Sequence, residues 1–169
     1  MDSINRLHLL RHLRAQFAID WHGHHGGAHW ARVRANGLML AAKTGANPLV
    51  VELFAFFHDS RRINEWEDPG HGARGATLAG QLRGRFFDAS DGEMDQLVAA
   101  CKGHSDGGST GSATVLTCWD ADRLDLLRVG ITPRAGRLCT AAAREPRMME
   151  VANLRARAWV ERYRGRGRE

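Results

Sequence analysis

The stretch from Leu49 to His58 carries a single charge, Glu52, among Val50, Val51, Leu53, Phe54, Phe56 and Phe57. A segment apolar nearly all round has no face to give to water, so it must form the buried centre of whatever this chain builds. Asn47-Pro48 ahead of it favours a helix start. It is too short to cross a bilayer, which takes about 20 apolar residues. Met1 to Phe17 is interrupted by Arg6, Arg11 and Arg14, so neither a membrane anchor nor a secretory signal is expected there.

The other elements are expected to be helical too, because apolar residues recur at spacings of three and four and no long stretch alternates with period two. An amphipathic helix is expected from Ile4 to Ile19, followed by a loop at His22-Gly23-His24-His25-Gly26-Gly27 near the mouth of any site. A second helix should run from about His29 to Lys43, ended by Thr44-Gly45. A fourth should carry Ala73, Ala76, Leu78, Ala79 and Leu82, with Gly75 and Gly80 allowing close packing. Ser90 and Glu93 read as the capping box of a fifth, ending near Gly103-His104. The sixth should span Ser112 to Leu127, and residues 146–163 form the last. These features predict an all-α fold with one domain over 1–163 and a flexible Arg/Gly-rich tail at 164–169.

With 169 residues, 43% of them hydrophobic and 25% charged, the chain can bury one independent core. Its three cysteines, Cys101, Cys118 and Cys139, form no Cys-x-x-Cys pair, so neither a disulfide framework nor a zinc ribbon is expected and a cytoplasmic setting is. Of the net charge of +5, residues 151–169 hold +4, six Arg against two Glu. That Arg-rich C-terminus could serve nucleic acid, but 22 of the 24 basic residues are Arg, a bias that composition alone accounts for.

The sharpest chemical feature is His58-Asp59, two ionisable neighbours at the end of the most apolar helix. Burying either without a partner is costly. Either the Asp accepts from the His or caps a turn, or both side chains converge on an ion beyond the helix end. His29 opens a helix after a Gly-rich loop, and Asp120-Ala121-Asp122-Arg123-Leu124-Asp125 places three carboxylates in an apolar setting. Around a helix Asp122 and Asp125 lie about 60° apart and Asp120 and Asp122 about 200°, so at most one pair shares a face.

In order along the chain, His29, His58-Asp59 and Asp122 resemble the motifs of the HD-domain family of metal-dependent phosphohydrolases, over roughly residues 25–130. The resemblance implies a single HD-type helical bundle in which His29, His58, Asp59 and Asp122 bind a divalent cation, with Asp120 as the reserve for the last position. It also implies hydrolysis of a small phosphoester, a nucleotide first, by attack of metal-bound water. Two imidazoles and two carboxylates suit Mn, Fe, Co, Ni or Mg, with Zn also admissible, and one ion per chain is expected. The expected substrate is a small anionic phosphorylated molecule, with no membrane partner.

His71 and His104 sit in Gly-flanked loops, where they could contact phosphate, act as acid or base, or ligate a second metal. Along with Asp59 they are the candidate catalytic residues. Arg61 and Arg62 directly follow the His-Asp pair and suit a phosphate clamp, although Arg is a poor proton donor. Trp66 is open to two readings, a lid or stacking platform, or a loop residue packed on the core. Two other functions fit the same sequence: a dinuclear oxygenase, which needs both His71 and His104 as ligands, and a non-catalytic module that binds nucleic acid or an acidic partner.

Overall fold

A computed structural model describes residues 3–166. Eight α-helices are formed: α1 Arg6–Ala15, α2 Gly27–Thr44, α3 Pro48–Phe57, α4 His71–Leu82, α5 Asp91–Gly103, α6 Ala113–Arg123, α7 Ala141–Arg144 and α8 Pro146–Arg166. Short 3-10 turns occupy Leu126–Val129 and Ala135–Arg137. Among the described residues there is no β-strand, only isolated bridges from Phe87 to Ile4 and Arg83.

Every residue of α3 from Val50 to Phe57 is buried, and α2, α4, α5 and α6 pack around it. Asn47 caps α3 by accepting from the backbone N–H groups of Leu49 and Val50, while Pro48 supplies the fixed φ of the first turn. The lone charge, Glu52, accepts from Arg6 Nε at 2.6 Å and Nη2 at 2.7 Å, and from Arg34 Nε at 2.6 Å. A smaller core of Leu40, Leu124, Leu138, Ala143, Met148 and Ala152 fastens α7 and α8 to α2.

Two glycines set the approach of α4 to its neighbours. A Cβ on Gly75 would lie 2.2 Å from the carbonyl oxygen of Phe57, and one on Gly72 would lie 2.0 Å from that of Cys101. Their bare backbone therefore lets the start of α4 reach the ends of α3 and α5, where His58 and His104 sit. Gly80 has open space around it and plays no such part.

The helix boundaries differ from expectation at three places. The first helix is shorter at both ends, because Asn5 caps it and the Asn5 N–H donates to the carbonyl of Phe86. The capping box at Ser90 and Glu93 forms as the sequence indicates. The sixth helix stops at Arg123, and the chain tightens into the 3-10 turn that Gly130, at φ 81°, closes. Helix α8 continues past Tyr163 to Arg166, so the tail expected at 164–169 is helical over its first three residues and otherwise lies outside the described residues. No helix among the described residues is long and apolar enough to cross a membrane.

Candidate metal centre

Four histidines meet at the point where the ends of α2, α3, α4 and α5 converge. Each has one ring nitrogen committed elsewhere. The Nδ1 of His58 faces the Phe54 carbonyl at 3.0 Å, that of His71 the Asp68 carbonyl at 2.6 Å, and that of His104 the Cys101 carbonyl at 2.7 Å. His29 Nδ1 faces Asp125 Oδ2 at 2.7 Å. Carbonyl and carboxylate oxygens only accept, so all four Nδ1 atoms are the N–H donors and each neutral ring keeps its lone pair on Nε2.

Those lone pairs point at each other. The Nε2 atoms of His29 and His58 are 3.0 Å apart, and those of His71 and His104 are 2.9 Å apart. Asp59, in the turn after α3, joins the two pairs. Its Oδ2 stands 3.4 Å from His29 Nε2 and 3.5 Å from His58 Nε2. Its Oδ1 stands 3.3 Å from His71 Nε2 and 3.7 Å from His104 Nε2. Facing lone pairs repel unless a positive charge lies between them, either a proton or a cation. His29, His58 and Asp59 form one group able to hold a metal ion, and Asp59, His71 and His104 form another. Donation of the second ring N–H to a carbonyl or carboxylate is the usual support of a ligating histidine, so the residues fit a divalent metal.

The electrostatics agree with this fit. Burial and the nearby Arg128 act to lower the His29 pKa, yet the carboxylates of Asp122, Asp125 and Asp59 around it hold it up at about 9. Burial drives His58 down to about 3, more than Asp59 and Asp122 can offset. Asp59 is held well below the usual carboxylate range: burial would raise it, but the attraction of His58 and of the neighbouring His104, His29 and His71 dominates. The Asp122 carboxyl is likewise lowered, with burial outweighed by His29 and Arg128. The centre thus sets ionised carboxylates beside His58, a neutral imidazole whose Nε2 can bind a cation.

The structure brings together His29, His58, Asp59, His71 and His104, with Asp122 at the edge, its Oδ1 3.3 Å from His29 Nε2 and 4.0 Å from His58 Nε2. That Oδ1 is buried and has no hydrogen-bond partner. Asp120 is not part of the group. Its fully buried carboxylate accepts from the backbone N–H groups of Cys139 and Thr140 and from Thr140 Oγ1, at 2.7–2.8 Å, and so fixes the approach to α7. Nor does Arg61 reach the centre: its guanidinium extends toward Gln16 Oε1, beside α1 and α4, because the turn after α3 points it outward. Arg62 does reach it, with Nε donating to Asp59 Oδ1 at 3.0 Å and Nη1 donating to the carbonyls of Asn64 and Trp66.

Three further residues belong to the site. Asp125 is fully buried and accepts from His29 and also from Arg32, at 2.7 Å from Nε and 3.0 Å from Nη2. Arg32 in turn lies over the Trp159 ring of α8, 4.8 Å from its centre. Arg128 is buried, and its Nη1 has no hydrogen-bond partner at 3.7 Å from Asp122 Oδ1. The sequence signal for Asp125 and Arg128 was the Asp-x-x-Asp-x-x-Arg spacing of residues 122, 125 and 128, which places three charges on one side of a helical turn.

No family model and no curated protein matches the sequence. The chain is similar to a solved structure described as a predicted HD superfamily hydrolase from an uncultured Thermotogales bacterium, at 24% identity and a TM-score of 0.65. The alignment covers 95% of this chain and 91% of that one. The all-α fold is therefore of the HD type over nearly its whole length.

Proposed function

We propose that the protein is a divalent-metal-dependent phosphohydrolase acting on a small phosphoester of the nucleotide class. One observation carries this reading: four imidazole Nε2 atoms and one carboxylate converge in two adjoining groups, each ring with its outer hydrogen bond already made. The fold shared with a protein described as a predicted hydrolase supports it.

In this reading His29, His58 and Asp59, with Asp122 at the edge, hold one cation, and Asp59, His71 and His104 hold a second. The second group favours two ions over the single one that the motif order suggested. Cations so held acidify a coordinated water and polarise a phosphoryl oxygen. The protein's own residues supply the frame. Asp59 serves both groups through its two oxygens, Arg62 keeps that carboxylate in place, and Asp125 fixes the tautomer and orientation of His29. His71 and His104, expected as acid or base, here have their N–H groups tied to backbone carbonyls and act as ligands.

The paired groups also meet the two-metal requirement of an oxygenase, which dioxygen consumption by the iron-loaded protein would reveal. The hydrolase reading is tested by stripping the protein with chelator and reloading it with Mn²⁺, Fe²⁺, Co²⁺, Ni²⁺, Mg²⁺ or Zn²⁺. Phosphate release is then measured over nucleoside monophosphates, cyclic nucleotides and simple phosphoesters. Metal-dependent release that Asp59→Asn abolishes is expected. No release with any metal, or release unaffected by Asp59→Asn, would overturn the proposal.

A further inference from the structure

Beside the metal centre, between the His22–Gly26 loop, the 3-10 turn at Leu126–Val129 and the last turns of α8, lies a cavity of about 860 Å³. That volume is in the range of small-molecule sites. His24, His25, Glu65, Trp66, Arg128 and Tyr163 are among its walls.

Arg128 is the link between cavity and centre. Its Nε donates to the His24 carbonyl at 3.0 Å, which fixes the guanidinium, while the buried Nη1 is left without an acceptor. A buried donor left unpaired is unfavourable and rare. The nearest carboxylate oxygen, Asp122 Oδ1, is too far away at 3.7 Å and is itself unpartnered. A phosphoryl oxygen arriving at the centre would satisfy that donor, since the guanidinium fork matches phosphate.

The far wall is aromatic. Trp159 and Tyr163 stack at 4.7 Å and 20°, and the His24 ring stands edge-on to them at 5.4 and 5.0 Å. Burial, Arg128 and Arg32 all lower the His24 pKa and so disfavour a positive charge on this wall. Trp66 is 87% exposed, yet its backbone is anchored: its N–H donates to Asn64 Oδ1 at 2.8 Å, and its carbonyl accepts from Arg62 at 3.2 Å. An indole held almost wholly in water on an anchored loop at a cavity wall is a surface prepared for stacking.

We propose that this cavity is the substrate site, in which Arg128 receives the phosphoryl oxygens while Trp66 and Tyr163 hold a planar aromatic ring of the esterified alcohol. The substrate class is therefore an aryl or heterocyclic phosphoester, and specificity rests on these three residues. The inference deepens the hydrolase reading and rests on it for the position of the reacting phosphorus.

The test is calorimetric titration of the Mn²⁺-loaded full-length protein with phenylphosphonate and with methylphosphonate. Both carry the anionic head on an unhydrolysable P–C bond, and only one has a ring. Wild type should bind phenylphosphonate about tenfold more tightly or better. Trp66→Ala with Tyr163→Ala should bring that ratio near one, and neither residue belongs to the buried core. Arg128→Gln should weaken both ligands about tenfold or more while preserving the ratio. Arg128→Lys, which keeps the charge and loses the fork, should fall between and serves if the Gln variant does not fold. Elemental analysis of each sample should show unchanged metal content. A wild-type ratio near one, or unchanged affinity in both Arg128 variants, would overturn the inference even if the metal-dependent hydrolase is confirmed. Ring- and Arg128-dependent binding by a protein with no hydrolytic activity would instead sustain the cavity assignment and sink the hydrolase reading.

Discussion

Asp125 offers the clearest perturbation, because three charge-assisted bonds end on one fully buried carboxylate. Asp125→Ala would leave the buried His29 and Arg32 without their counter-charge, a loss of about 3–5 kcal/mol for a broken buried pair. In a chain of this size each kcal/mol moves the melting temperature by about 2–4 °C, so the drop should be roughly 6–20 °C. Asp125→Asn preserves shape but turns an NH₂ toward a donor, and about 1.5–3 kcal/mol should be lost. Both variants free the His29 ring, so affinity for Mn²⁺ should fall about 10–100-fold, as when a ligand's supporting acceptor is removed. Thermal unfolding in chelator reads the first effect and Mn²⁺ titration of the folded protein the second. Variants that melt within about 2 °C of wild type and bind Mn²⁺ as tightly would refute the claim that Asp125 holds His29 in place.

His29 stays protonated below about 9 in the metal-free protein, so an entering cation must displace that proton. Mn²⁺ affinity, titrated at pH 6, 7 and 8, should rise about tenfold per unit for each proton displaced, whereas a flat profile would contradict it. Arg62→Ala should weaken Mn²⁺ binding several-fold by releasing Asp59, while Arg61→Ala should leave it unchanged; equal effects would return both to surface charge. Burial would raise the Glu52 pKa, but Arg6 and Arg34 hold it below the usual range, so its stabilisation is present at neutral pH and is lost as pH falls through the folded value. Urea unfolding should show Glu52→Gln losing about 1–2 kcal/mol at neutral pH, discounted for the half-exposed arginines, and less near pH 4; a gap that widens in acid would contradict it.

What the sequence disclosed follows periodicity and local chemistry. An apolar α3, a Pro at its start and a Ser90–Glu93 capping box are local signals, and each is realised in the fold. The pairing of His58 with Asp59 was legible because two ionisable groups closed an apolar helix. The choice between Asp120 and Asp122 was not, since only the tertiary path of the chain turns Asp122 toward His29 and Asp120 toward Thr140. Asp125 and Arg128 were visible as charges spaced from Asp122, but that spacing alone did not mark them as part of the site. The sequence suggested a continuous sixth helix, whereas the tightened turn after Arg123 directs both inward. Arg61 and Arg62 are adjacent in sequence yet point to opposite sides of the turn, a difference no composition reveals.

The central claim, that six side chains hold divalent cations through Asp59, is tested most directly by metal stoichiometry. Chelator-stripped protein is reloaded with Mn²⁺, desalted and subjected to elemental analysis alongside Asp59→Ala and His71→Ala. The account predicts two ions per chain in wild type, one in His71→Ala, and near-complete loss in folded Asp59→Ala, because that carboxylate serves both groups. Wild-type protein that retains no metal, or Asp59→Ala that retains the full wild-type content, would contradict it.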